Sequence, residues 1–271
     1  MVNLARRGSR NARAETKILR AQSYTFNDPS WGPRPKRGAH RIRRPPRKRS
    51  FWKELPLLVA IAFGLTFLIQ TFIARPYMIP SGSMERTLHG CPGCTPDRVL
   101  VDKLTYRFTD PQPGDVVVFK GPDPWVEGDP VEESTGVAGF LRELGSMIGL
   151  APPDERDFVK RIVAVGGQTI SCCDAKNRVV VDGKPLDEPY LYFEPGRGHR
   201  QQEFPEITVP EGSVFVMGDN RNNSSDSRVQ GGGGVNGTVP VENIIGKAQV
   251  IVWPPARWGG ISDYNPQSGA G

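Results

Sequence analysis

The hydrophobic pattern divides the chain into stretches of unlike texture. Residues 1–50 are rich in Arg, Lys and Pro, with too few apolar positions to form a face, which predicts a disordered tail. Residues 55–74 then read L-P-L-L-V-A-I-A-F-G-L-T-F-L-I-Q-T-F-I-A without a charge. At about 1.5 Å of rise per residue, roughly twenty such residues match a bilayer core, and a transmembrane helix is predicted. Pro56 falls in the first turn of that helix, where a missing N–H costs nothing, and Phe51 and Trp52 precede it as interfacial aromatics.

Beyond residue 75 the texture changes to short β-branched runs bounded by Pro, Gly and Asp, at 99–101, 116–119, 158–165, 179–181 and 213–217. Such runs read as strands joined by turns. Between them Val137, Phe140, Leu141, Leu144, Met147 and Ile148 recur at helical spacing and predict a short amphipathic helix, packed on the core or lying in the membrane interface. The chain of 271 residues holds 26 prolines and 31 glycines, which fits β-structure and loops better than helices.

The net charge of +6 is unevenly placed, because basic residues crowd the first fifty-odd positions. Arg41, Arg43, Arg44, Arg47, Lys48 and Arg49 have no nucleic-acid-binding fold or interleaved aromatics around them, so no nucleic acid is expected. Flanking the apolar segment, they predict a cytoplasmic N-terminus and an extracytoplasmic remainder. A cleaved signal peptide is the competing reading. The apolar run is long and starts late for one, so an uncleaved, single-pass anchor is favoured.

Chemistry concentrates in separate stretches. I-P-S-G-S-M at 79–84 places Ser81 and Ser83 on a turn held out of regular structure by Pro80 and Gly82. F-V-K-R at 158–161 sets Lys160 and Arg161 in an apolar strand, on opposite faces. Both faces are apolar, so alternation does not choose which cation is buried. Chemistry favours Lys160 as a base, since a desolvated lysine can become a neutral amine and an arginine cannot. The third stretch, G-D-N-R-N-N-S-S-D-S-R at 218–228, follows an apolar strand and can be stiffened by its own short polar side chains. His89 is the rival base by proximity to Ser83, without an obvious orienting partner.

Together these stretches closely resemble bacterial type I signal peptidases, actinobacterial-like members included: membrane-bound Ser/Lys proteases that remove signal peptides. The resemblance runs from the anchor to about Trp258 and takes in G-T-V-P at 237–240 and I-I-G-K-A at 244–248. It implies that Ser83 is the nucleophile, Lys160 the general base and Ser81 a partner of the Ser83 N–H in an oxyanion hole. It also implies that Ser224 orients the lysine amine, with Asp226, Ser227 and Arg228 in support. The implied fold is mainly antiparallel β: a catalytic domain over 76–167 and 211–258, a small cap at 168–210, the basic tail at 1–54 and a flexible tail at 259–271. Implied substrates are signal-peptide-bearing secretory preproteins with small residues at −1 and −3, met at the lipid surface and delivered transiently by the export machinery. No cofactor and no metal are required.

Arg86 departs from the family, many members of which have Pro there, and Gly231 to Gly234 suggest a flexible loop. Cys91 and Cys94 are expected to pair in a disulfide-permissive compartment, while Cys172 and Cys173 stay unassigned. A four-cysteine zinc site is disfavoured by the adjacent pair. A self-cleaving Ser/Lys repressor would need a DNA-binding motif in place of the anchor, and a catalytically silent scaffold would not need both Ser83 and Lys160.

Overall fold

In the computed structural model, residues 51–126 and 157–269 are described. The basic run at 41–49 and the amphipathic helix expected at 137–150 lie outside them.

Helix α1 (Phe51–Phe72) is apolar, long enough to cross a bilayer, and buries no residue against the protein. It starts earlier than the uncharged run because Lys53 and Glu54 can sit in the polar end of a spanning helix. Pro56 therefore lies inside the helix rather than in its first turn. The helix stops before residue 74 because β1 (Ala74–Met78) is paired along its whole length with β2 (Arg98–Asp102), and Pro76 could not continue a helix.

Helix α2 (Thr105–Phe108), β3 (Val116–Lys120), α3 (Asp123–Val126) and β4 (Asp157–Val165) follow. Then come β5 (Thr169–Cys172), β6 (Val179–Val181), β7 (Lys184–Pro185) and β8 (Phe204–Thr208). The chain continues with β9 (Ser213–Met217), β10 (Val239–Pro240), β11 (Ile244–Trp253) and β12 (Gly259–Gly260). The larger sheet has the order β1-β2-β11-β3-β4-β9-β10, with β12 added on β11, and the smaller has the order β7-β6-β5-β8. Every named pairing is antiparallel, so the expectation of a mainly antiparallel β protein holds.

Apolar burial explains the layering. Ile170, Val179, Val181, Phe204 and Ile207 of the small sheet share one core with Val163, Ala164, Phe215 and Met217 of the large one. A second core joins Tyr77, Val99, Val101, Val116, Val118 and Ala248 to Met84 and Leu88. Those last two side chains, fully covered, plug the segment that carries Ser83 into the sheet.

Of the flexible tail expected at 259–271, the described residues 259–269 are instead docked. Gly259 and Gly260 pair with β11, and Ile261 N donates to Gln249 O at 2.9 Å. Lys247 Nζ reaches Asp263 at 3.0 Å, and Gln267 Nε2 donates to Val163 O at 3.0 Å. The physical reason is Arg161: its buried guanidinium needs carbonyl acceptors, and Ser262 O is one of them, at 2.8 Å. The loop expected around Gly231 to Gly234 forms 3₁₀ turns at Gln230–Gly232 and Gly234–Gly237, with all four glycines at positive φ.

Candidate active site

Ser83 sits in a 3₁₀ turn (Gly82–Met84) that follows the edge strand β1 after Ile79, Pro80 and Ser81. Its neighbour Met84 is 1% exposed and anchors the turn from below. Gly90 closes against it, and a side chain there would collide with the Ser81 backbone. From the other side Asn220 holds the turn by its carbonyls: its Nδ2 donates to Gly82 O at 2.9 Å and its backbone N to Ser83 O at 3.1 Å. Gly218 must lack a side chain as well, because a Cβ would come within 2.5 Å of Ser83 O.

Lys160 comes from β4, where it pairs with Val117 of β3. It is 4% exposed and Ser83 8%. Lys160 Nζ and Ser83 Oγ are hydrogen-bonded at 2.8 Å, and Nζ also donates to Val159 O at 3.0 Å. Ser81 Oγ donates to Ser83 Oγ at 3.2 Å. Burial drives the Lys160 amine down to about 8, against the pull of Asp226 and Asp219 in the opposite direction. A lysine that loses its proton so near neutrality, in contact with a hydroxyl, can accept that hydroxyl's proton.

Both cations of the K-R pair are buried, whereas one was expected to be. Arg161, with no exposure, points to the other face of β4. Its Nε and Nη2 meet Asp219 at 2.9 and 2.8 Å, Nη1 donates to Gly114 O at 2.7 Å and Ser262 O at 2.8 Å, and the guanidinium lies 4.0 Å from the Tyr190 ring centre. Burial opposes its charge, but Asp219 more than compensates and raises its pKa.

The 218–228 loop acts as a brace. Ser227 Oγ accepts from Val216 N at 3.0 Å, fastening the loop to β9. Asp226 receives Nε and Nη2 of Arg228, both at 2.7 Å, and the N–H of Gly218 at 3.0 Å. Burial alone would push the Asp226 carboxyl up; Arg228 and the Gly218 N–H hold it below its ordinary value. Ser224 is placed differently from expectation. Its Oγ is buried, helps hold the Asp226 carboxyl down, and has no hydrogen bond of ordinary geometry among the described residues, so none joins it to Lys160.

His89 does have a partner, which its sequence surroundings did not reveal: its Nδ1 meets Glu85 Oε2 in a short contact. Both line a cleft of about 510 Å³ that adjoins the cleft of similar size containing Ser81, Ser83 and Lys160. Among the described residues, the side-chain partners of Ser83 Oγ are Lys160 and Ser81. Arg86 is exposed and stacks on Tyr192, with 4.9 Å to the ring centre. Cys91 is bonded to Cys94 and Cys172 to Cys173.

A serine and a buried lysine of lowered pKa in direct contact give the machinery of a serine peptidase, and comparison with known proteins decides the lineage. Residues 52–253 match the family model for signal peptidase, peptidase S26. The chain belongs to the signal peptidase family. A probable signal peptidase I of Mycobacterium leprae is 49% identical over 246 residues, covering 83% of this chain and 84% of that protein. The signal peptidase I of Mycobacterium tuberculosis is 49% identical over 239 residues, covering 83% and 80%. A probable signal peptidase I-1 of Synechocystis is 37% identical over 215 residues, covering 79% and 89%. As a member of the signal peptidase family the chain is a serine peptidase, and its apolar N-terminal helix suits a membrane-anchored one.

Asn220, Gly90, Gly218 and Asp219, the partner of Arg161, shape the site without having been singled out individually. G-D-N at 218–220, directly after an apolar strand, was the available signal for three of these residues.

Proposed function

We propose that this signal peptidase cleaves secretory preproteins after small residues at −3 and −1, with Ser83 as nucleophile and Lys160 as general base. The carrying observation is the buried Nζ–Oγ contact of 2.8 Å. The neutral amine takes the Ser83 proton as Oγ attacks the scissile carbonyl. The Ser81 hydroxyl and the Ser83 N–H receive the oxyanion; Ser81 Oγ already lies 3.2 Å from Ser83 Oγ. The protonated lysine then returns its proton to the leaving amine. Water hydrolyses the acyl-enzyme with the same amine as base.

The supporting residues divide by what they touch. Asp226, Ser227 and Arg228 keep the 218–228 loop rigid against β9, and the buried Ser224 hydroxyl, beside Asp226, is the group available to orient the amine once substrate enters. The large sheet is the catalytic unit, the 168–210 segment with its small sheet is a cap, and the membrane is crossed once with the N-terminus in the cytoplasm. Arg and Lys before residue 50 support that orientation. The catalytic domain then faces the extracytoplasmic side. Ser83 follows closely on the spanning helix, so substrates are met at the lipid surface, handed over by the export machinery, and bound extended beside edge strand β1.

The test is cleavage of a purified precursor carrying an A-x-A site by the detergent-solubilised full chain, read by product mass. Wild type should cut after A-x-A, and Ser83→Ala and Lys160→Ala should leave the precursor whole. A Lys160→Ala enzyme with full activity would remove the lysine from the mechanism.

A further inference from the structure

The cleft adjoining that of Ser83 contains a group of side chains that the peptide chemistry does not use. Glu85, His89 and Cys91 each offer a metal-ligand atom, and these atoms lie within 4.8 Å of one another. Around a tetrahedral zinc ion, with bonds of about 2.0 to 2.3 Å, ligand atoms stand roughly 3.5 Å apart, so closing this set takes side-chain adjustments of about an ångström. Cys94 lies outside that 4.8 Å group but offers a second sulfur at C-x-x-C spacing, a usual half of a zinc site. Its Cα is 5.5 Å from that of Cys91, and its N–H donates to Cys91 O at 3.2 Å across the turn. Both sulfurs are now joined to each other.

We propose that reduction of the Cys91–Cys94 disulfide by a dithiol opens a zinc site made of Glu85, His89, Cys91 and Cys94. The dithiol gives up two electrons and two protons, becoming a disulfide, and leaves two cysteine thiols. Zinc binding then sends both thiol protons to solvent, and the ion is held by two thiolates, the imidazole and the carboxylate.

The surroundings suit the result. Two thiolates and a carboxylate around Zn²⁺ carry a net single negative charge, and Arg86 and Arg257 line the same cleft. Arg257 is itself fixed by Asp97, at 2.9 Å, and Asp97 receives the His89 N–H at 2.8 Å, so the backbone of one ligand is already anchored. Glu85 Oε1 accepts from Gly90 N at 3.2 Å, an outer contact of the kind that orients a ligating carboxylate. Because Glu85 N closes the Ser83 turn on Gly82 O at 3.2 Å, the metal would tie that turn to the Cys91 loop.

The experiment uses the full chain in detergent, oxidised or reduced with a phosphine, titrated with zinc against a chromophoric chelator. One zinc per reduced chain is expected and none per oxidised chain. Cys94→Ser and His89→Ala should each weaken binding at least tenfold, while Cys172→Ser leaves it unchanged. X-ray absorption at the zinc edge of the reduced wild type, which needs no variant to fold, should count two sulfur ligands. Any other sulfur count, binding that ignores the redox state, or equal affinity in wild type, Cys94→Ser and His89→Ala overturns the proposal.

Discussion

Lys160 and Arg161 are neighbours on one strand, both buried, and treated in opposite ways. Arg161 is given a bidentate carboxylate and two carbonyls, which fix its charge and leave it nothing to do but hold the sheet, Asp219 and the C-terminal segment together. Lys160 is given a hydroxyl and a single carbonyl, and no carboxylate touches it among the described residues. Asp226, the carboxylate that pulls hardest on its charge, is already occupied by Arg228. Burial with a counter-ion preserves a cation, whereas burial without one makes a base.

The largest effects should come from breaking the lysine side. Ser83→Ala should lower kcat for a precursor peptide by at least about 10⁴-fold, and Lys160→Ala by at least about 10³-fold, with thermal unfolding close to wild type in both. Arg161→Met should do the reverse. It strands a buried carboxylate, a loss of about 3–5 kcal/mol in denaturant unfolding, and any activity it loses should track the unfolded fraction. Next is Ser81→Ala, which takes one donor from the oxyanion and should reduce kcat by about 10²-fold while barely moving KM.

The smallest and most discriminating change is Asp226→Asn. Asp226 raises the Lys160 pKa and Arg228 lowers it, so neutralising the aspartate should shift the rising limb of the pH–rate profile towards acid. The same variant loses stability because Arg228 is left unpaired. A shift of the limb towards alkali would mean that the charge near the amine has been misassigned.

The contrast between the two cations was half legible in the sequence. Period-two alternation placed them on opposite faces, but both faces were apolar, and only the partner across the fold tells a base from a clamp. Asp219 is 58 residues from Arg161, and Ser83 is 77 residues from Lys160. The Pro- and Gly-bounded turn at Ser83 and the polar loop after β9 were visible because their chemistry is local. Asn220 was not, since its role is to reach Gly82 O across 138 residues. Tail docking was missed for the same reason: 259–269 looks polar and Gly-rich until a buried arginine is seen to need Ser262 O. The pairing of His89 with Glu85 was hidden in plain view at helical spacing, in a segment that gave no other sign of a helical turn. Helix α1 was legible from length and charge, and its start was misplaced because charged residues at a membrane boundary can remain helical.

The account stands on a lysine whose pKa burial lowers far enough for it to act as a base, and the pH dependence of kcat/KM for the free enzyme measures that directly. The protonated amine cannot accept a proton, so activity should be low below the Lys160 pKa, rise through a midpoint near 8, and level off above it. The limb should be the same in His89→Ala. A midpoint in the ordinary histidine range, about 6.5, that disappears in His89→Ala would contradict the account and return the role of base to His89.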